Sequence, residues 1–135
     1  MSSPAPTPTI VVTAAVIKRD GRYLVTRRPE DAHLAGYWEF PGGKCEPGES
    51  HEDCLRREIR EELHAEARVH DEIFTITHPY EDRVVELHFF RCALAGNPQP
   101  ILGQEMRWVR RDELSALKFP PADAELIRWL QEGFF

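Results

Sequence analysis

Three glutamates, Glu58, Glu61 and Glu62, stand at i, i+3 and i+4 inside a segment whose other residues demand a helix. Leu55, Ile59 and Leu63 recur at four-residue spacing and form one apolar stripe. Ser50 and Asp53 supply an S-x-x-D capping box at its start. Glu52 with Arg56, and Asp53 with Arg57, are favourable i,i+4 pairs on the first turns. On such a helix the three carboxylates project within a narrow arc bordering the stripe. Like charges at this spacing repel, costing about 0.2–0.5 kcal/mol per pair on an exposed helix. A multivalent hard cation turns that penalty into a site, because Mg²⁺ takes oxygen ligands and keeps part of its water. A solvated acidic face is the ordinary alternative. Just upstream, Pro41-Gly42-Gly43 excludes helix, and the glycine pair permits a close backbone approach that lets a carbonyl reach the same cation.

Around this helix the chain mixes strands and helices. Ile10 to Ile17 is short, apolar and β-branched, and Asp20-Gly21 turns it into a second strand over Arg22 to Arg27. Pro29 to Tyr37 reads as a loop, and Trp38 to Phe40 as a brief extended piece. Glu72 to His78 and Val84 to Leu94 are strand-like runs separated by a turn over Tyr80 to Arg83. A Gly/Pro-rich loop over Gly96 to Gly103 leads to a short strand around Met106 to Val109. Asp112 to Leu117 suits a helical turn. A last helix begins near Asp123, with Leu126, Ile127 and Leu130 as its stripe. No internal repeat and no linker interrupts the order, which is that of an α/β or α+β chain.

A length of 135 residues suits one domain, read here as residues 10–135 behind a mobile Pro/Ser/Thr tail over 1–9. With 17 Lys and Arg against 23 Asp and Glu, the net charge of -6 argues against a partner that is a nucleic-acid polymer, which requires basic surface. It permits a small anionic substrate held through a metal ion and a few arginines. No apolar run reaches membrane-spanning length and no signal-type core opens the chain, so a cytoplasmic protein without a membrane partner is expected. Cys45, Cys54 and Cys92 are odd in number and lack zinc-type spacing; free thiols are expected.

From Gly43 the chain reads GKCEPGESHEDCLRREIREELHA. This resembles the Nudix box: G, five residues, E, seven residues, then R-E-U-x-E-E-x-G-U, with U a bulky aliphatic. Gly43, Glu49, Arg57, Glu58, Ile59, Glu61 and Glu62 all match, while His64 replaces the box glycine and Ala65 a larger aliphatic. The segments LVTRR (Leu24 to Arg28), WEFPGGK (Trp38 to Lys44) and FPPAD (Phe119 to Asp123) resemble the MutT branch of that family. The resemblance implies an α/β/α sandwich on a mixed β-sheet. It also implies hydrolysis of a nucleoside triphosphate substrate to nucleoside monophosphate and pyrophosphate.

It further implies roles. Glu58, Glu61 and Glu62, with the Gly43 carbonyl, are expected to hold Mg²⁺ or Mn²⁺, and Glu105 to add a further metal-binding or general-base carboxylate. Glu49 and Arg57 are expected to form a supporting ion pair. Arg28, with Arg27 as competitor, is the candidate grip on the triphosphate, because a guanidinium forks onto phosphate oxygens. Lys44 adds charge beside it, and His33 and Phe40 are candidates for the base pocket. Asp123 stands where MutT has Asn. Ionised, it only accepts hydrogen bonds, which suits an exocyclic amine; protonated, it regains a donor. Capping of the last helix is its structural alternative. The leading reading is nucleotide-pool cleansing of 8-oxo-dGTP. The alternatives are a CTP, dCTP or modified-pyrimidine triphosphate pyrophosphatase, and a non-catalytic nucleotide-binding module.

Overall fold

The structure is a computed structural model in which residues 7–31 and 35–135 are described. Strand β1 (Thr9–Arg19) turns at Asp20 and Gly21, whose φ values of 52° and 76° are both left-handed, into β2 (Arg22–Arg27). Two positive φ angles are what a two-residue hairpin of matching twist requires. Beyond that turn the two strands diverge. β1 pairs in parallel with β6 (Val84–Ala95) along its length and antiparallel with the short β4 (Gly42–Lys44). β2 pairs with β3 (Trp38–Glu39) and β7 (Glu105–Arg110), and β5 (Glu66–Pro79) pairs antiparallel with β6. The result is a mixed seven-stranded sheet, as the α/β expectation requires.

Strand alternation distributes the core to two faces. Ala14, Val16, Tyr23, Val25 and Phe89 pack on one side with Leu126 and Leu130 of α2 (Ala124–Gln131). Ala15, Ile17, Leu24, Phe90 and Cys92 pack on the other with Leu55, Ile59 and Leu63 of α1 (His51–Leu63). Both faces are covered, so β1 and β2 read as nearly continuous apolar runs. Short 3₁₀ turns over Arg111–Ala116 and Pro121–Asp123 lead into α2.

Helix is excluded at Pro41-Gly42-Gly43 as expected, and the segment leads into a strand, since Gly42–Lys44 pairs with β1. Any side chain at Gly42 would place its Cβ 2.0 Å from the Thr13 carbonyl oxygen, so only glycine permits this approach. Three other expectations need correction. β5 begins at Glu66, directly after α1, rather than at Glu72. Thr9, assigned to the tail, opens β1, and the Pro8 carbonyl accepts from Val84 N; residues 1–6 lie outside the described residues. Cys45 and Cys54 are not free thiols but a disulfide, because the loop after β4 folds back over the first turns of α1 and brings their Cα atoms to 5.2 Å. Cys92 is free and buried, where desolvation pushes its thiol up to about 12. No helix among the described residues is long and apolar enough to cross a membrane.

Candidate active site

The loop between β4 and α1 is braced before any catalytic question arises. Ser50 caps the helix, its Oγ accepting from Asp53 N at 3.1 Å. Arg57, one turn further on, donates from Nε to Glu49 Oε2 at 2.7 Å and from Nη2 to Glu49 Oε1 at 2.9 Å. The same Nη2 reaches the Lys44 carbonyl at 3.1 Å, so one guanidinium ties both ends of the loop to the helix. These hydrogen bonds hold the Glu49 carboxyl down to about 2. Arg57 Nη1 also donates to Glu58 at 2.9 Å and Glu61 at 3.2 Å, so a single cation faces three carboxylates.

Glu58 and Glu62 turn inward from this brace, and Glu61 outward. Glu58 keeps 16 % of its side-chain exposure against 58 % for Glu61. A Cβ on Gly43 would lie 2.3 Å from Glu58 Oε2; the glycine therefore leaves backbone and carboxylate in direct apposition. Glu62 is largely desolvated, and burial beside Glu39 and Glu58 pushes its carboxyl up to about 8, although the Gly42 N–H and Arg28 favour its charge. Ionising it without a further cation costs on the order of 4 kcal/mol. Burial likewise raises Glu58.

The acidic row continues away from α1. Glu39, between the buried Trp38 and Phe40, pairs with Arg28 at 2.9 Å, yet burial still raises its carboxyl. Beyond it Asp123 is only 7 % exposed, and burial followed by the Glu39 charge pushes it up to about 7. Asp123 occupies the N-cap position of α2, but its side chain makes no capping bond there. The row thus runs Glu58, Glu62, Glu39, Asp123, from the glycine loop to the last helix. Glu39 was absent from the candidates derived from sequence. The available signal was a charged residue alternating with two aromatics in a segment that must bury them.

The remaining candidates are distributed less tightly. Glu105 opens β7 opposite Arg27 and pairs with Arg27 at 3.5 Å and Arg107 at 2.8 Å. Its neighbour Gln104 donates to the Glu62 carbonyl at 3.3 Å, which anchors that loop to the end of α1. Lys44 is exposed at the end of β4. Phe40 is core: it stacks on Phe119 with ring centroids 5.4 Å apart and is buried on every side but a small edge. His33 lies outside the described residues. His64 ends α1 in the left-handed region at φ 51°, the conformation a glycine adopts without strain, and Ala65 is buried in the core beneath it.

The donor set suits a hard divalent cation. It offers several oxygen ligands, partly desolvated, beside a glycine whose missing side chain keeps the space open, and it carries more negative charge than its arginines balance. The NUDIX domain model matches residues 12–129. A CTP pyrophosphohydrolase of Escherichia coli is 40% identical over 121 residues, covering 87% of this chain and 88% of that protein. An 8-oxo-dGTP diphosphatase of Haemophilus influenzae is 35% identical over 123 residues, covering 90% of each. The solution structure of the E. coli ORF135 protein superposes with a TM-score of 0.83 at 35% identity, covering 93% of this chain and 91% of that one. With the match spanning nearly all of the sheet and both helices, the chain belongs to the NUDIX domain family, whose hydrolases use a divalent metal.

Proposed function

We propose that this protein is a nucleoside triphosphate pyrophosphohydrolase, converting a triphosphate and water to nucleoside monophosphate and pyrophosphate. The observation that carries the reading is the apposition of Gly43 and Glu58 beside a second desolvated carboxylate, Glu62. Glu58, Glu61 and Glu62, with the Gly43 carbonyl, would hold Mg²⁺, or Mn²⁺ in its place. When bound, that ion supplies charge neutralisation for the phosphates and a more acidic water.

The chain's own residues do the rest. Arg57 and Glu49 fix the loop so that the Gly43 carbonyl and the helix carboxylates keep one geometry. Arg28 lies next to the row, held by Glu39, and offers its guanidinium to the phosphates. Glu105, whose neighbour Gln104 is anchored to the end of α1, would add the further carboxylate. Asp123, at the far end of the row, reads the base.

A carboxyl near 7 exists in both forms at neutral pH, so Asp123 can accept from an amine or donate to a carbonyl oxygen. Oxidised guanine, as in 8-oxo-dGTP, is the leading substrate. CTP is the second reading, favoured by the aspartate itself and by the name of the 40%-identical relative. A cytoplasmic location suits such substrates. A hydrolysis screen with Mg²⁺ over ordinary and oxidised triphosphates, with products identified, tests the reading. Monophosphate and pyrophosphate are expected; orthophosphate as the first product overturns it.

A further inference from the structure

At the opposite end of α1 from the acidic row lies a cluster the reaction does not use. His51 is the first residue of α1, and Glu72, Glu86 and His88 lie on β5 and β6. One ligand atom from each of His51, Glu72 and His88 lies within 4.8 Å of the others. The two imidazole rings are 4.2 Å apart, centroid to centroid, and His88 keeps only 9 % of its side-chain exposure. His51 and Glu58 are two helical turns apart, about 10 Å along the axis.

Both ring nitrogens of His88 face carboxylates: Nδ1 faces Glu72 Oε1, and Nε2 lies 2.6 Å from Glu86 Oε1. With the Nε2–H donated to Glu86, Nδ1 carries a lone pair toward Glu72 and His51. A ring nitrogen of His88, a carboxylate oxygen of Glu72 and a second imidazole thus converge on one point. A carboxylate behind a histidine is the arrangement that orients imidazole ligands and raises their basicity in metal sites. Glu72 is itself held, its Oε1 accepting from Thr75 Oγ1 at 3.1 Å. The register of β5 against β6 slips on either side of Glu72, between Val69 and Glu72 and between Glu72 and Phe74. Irregularities of this kind re-aim a side chain at the expense of ladder pairing.

We propose that His51, Glu72 and His88 form a transition-metal site of the zinc class, with Glu86 as the residue positioning His88. Two nitrogens and one oxygen suit Zn²⁺, with a fourth position left for water. Mg²⁺ prefers oxygen ligands, so the two ions select different ends of the helix. Glu72 and Glu86 are each more than one-third exposed, which gives an ion a path in. Bound metal staples the first turn of α1 to the β5–β6 hairpin and stabilises the fold by mass action.

The test is calorimetric titration of the untagged, disulfide-intact protein with Zn²⁺ in millimolar Mg²⁺, followed by thermal unfolding. The intact disulfide keeps Cys45 and Cys54 from competing for the ion. One Zn²⁺ per chain and a raised Tm are expected. His51→Ala and Glu72→Gln, each checked by circular dichroism, should weaken binding at least about tenfold, and Glu86→Gln should weaken it similarly through orientation. Co²⁺ should give the visible absorption of a tetrahedral site in wild type, and not in His51→Ala. Glu61→Gln and Glu62→Gln should leave Zn²⁺ affinity unchanged. The proposal is overturned if wild type binds no Zn²⁺ under Mg²⁺, if His51→Ala and Glu72→Gln bind as wild type does, or if Glu62→Gln alone abolishes binding.

Discussion

Arg57 forks onto Glu49 through Nε and Nη2 at 2.7 and 2.9 Å while its remaining nitrogen holds Glu58. The loop and the metal-facing helix are thereby one unit. Arg57→Lys keeps the charge but loses the fork, since an ammonium cannot present two parallel donors. Turnover should fall about ten- to a hundredfold, with circular dichroism unchanged. Wild-type turnover in Arg57→Lys would show that the brace does not order the site.

Glu62→Gln separates catalysis from stability. Turnover at saturating Mg²⁺ should drop by orders of magnitude if Glu62 is a metal ligand. Without metal the same variant should be more stable than wild type above pH 8, where the buried wild-type carboxyl ionises against Glu39 and Glu58. Urea unfolding in chelator near pH 4.5, at pH 6 and at pH 9 checks this: the gain should be absent near pH 4.5, partial at pH 6 and full at pH 9, because the unfolded carboxyl ionises near 4.5 and the folded one only near 8.

His64 provides a test of the helix end by itself. Its φ of 51° and its N–H bond to the Arg60 carbonyl form a left-handed cap built on a residue with a Cβ. His64→Gly should raise stability by about 0.5–1 kcal/mol with turnover unaffected. A loss in stability would mean that the imidazole makes a compensating interaction.

Much of this was legible in the sequence because the signals were local. The four-residue spacing of Leu55, Ile59 and Leu63, the Ser50 cap and the Asp20-Gly21 turn each act within a few residues, and each appears where expected. The box carboxylates share that property, being three positions on one helix. Glu39 is different: it joins the site only because β3 pairs with the end of β2 and α2 returns across the sheet, relations that span most of the chain. The Cys45–Cys54 bond escaped for a related reason. A gap of nine residues across a strand-to-helix corner matches no recurrent cysteine pattern, and an odd count concealed the pair. Asp123 was legible in position but not in charge, because burial sets its charge.

The disulfide gives a direct count. Denatured without reductant, the chain should expose one reactive thiol, Cys92, and three after reduction. In the chain-entropy account, closing so short a loop stabilises by about 2–3 kcal/mol, so Cys45→Ser should lower Tm in oxidising buffer and leave it unchanged relative to reduced wild type. Three thiols in the unreduced, denatured protein would refute the pairing.

Asp123 links pH to base choice. Its folded carboxyl lies near 7 against an ordinary 3.8, so the fold favours the protonated form. The stability this contributes is fully present below about pH 4 and is lost as pH rises through about 7, a change on the order of 2–4 kcal/mol that Asp123→Asn should flatten. The same titration changes what the base meets. Below pH 7 the protonated carboxyl donates to a purine carbonyl oxygen; above it the carboxylate only accepts and suits the amine of cytosine. The ratio of kcat/KM for CTP over that for 8-oxo-dGTP should therefore rise between pH 6 and pH 8 in wild type. A mismatched hydrogen bond in a desolvated pocket costs about 1–3 kcal/mol, so the rise should be roughly tenfold. Asp123→Asn, which keeps a donor at every pH, should hold the ratio low and level, and Asp123→Ala should flatten it while hydrolysis continues. A wild-type ratio that does not move with pH, or a slope that survives in Asp123→Asn, would remove this residue from base recognition and leave its burial without a catalytic purpose.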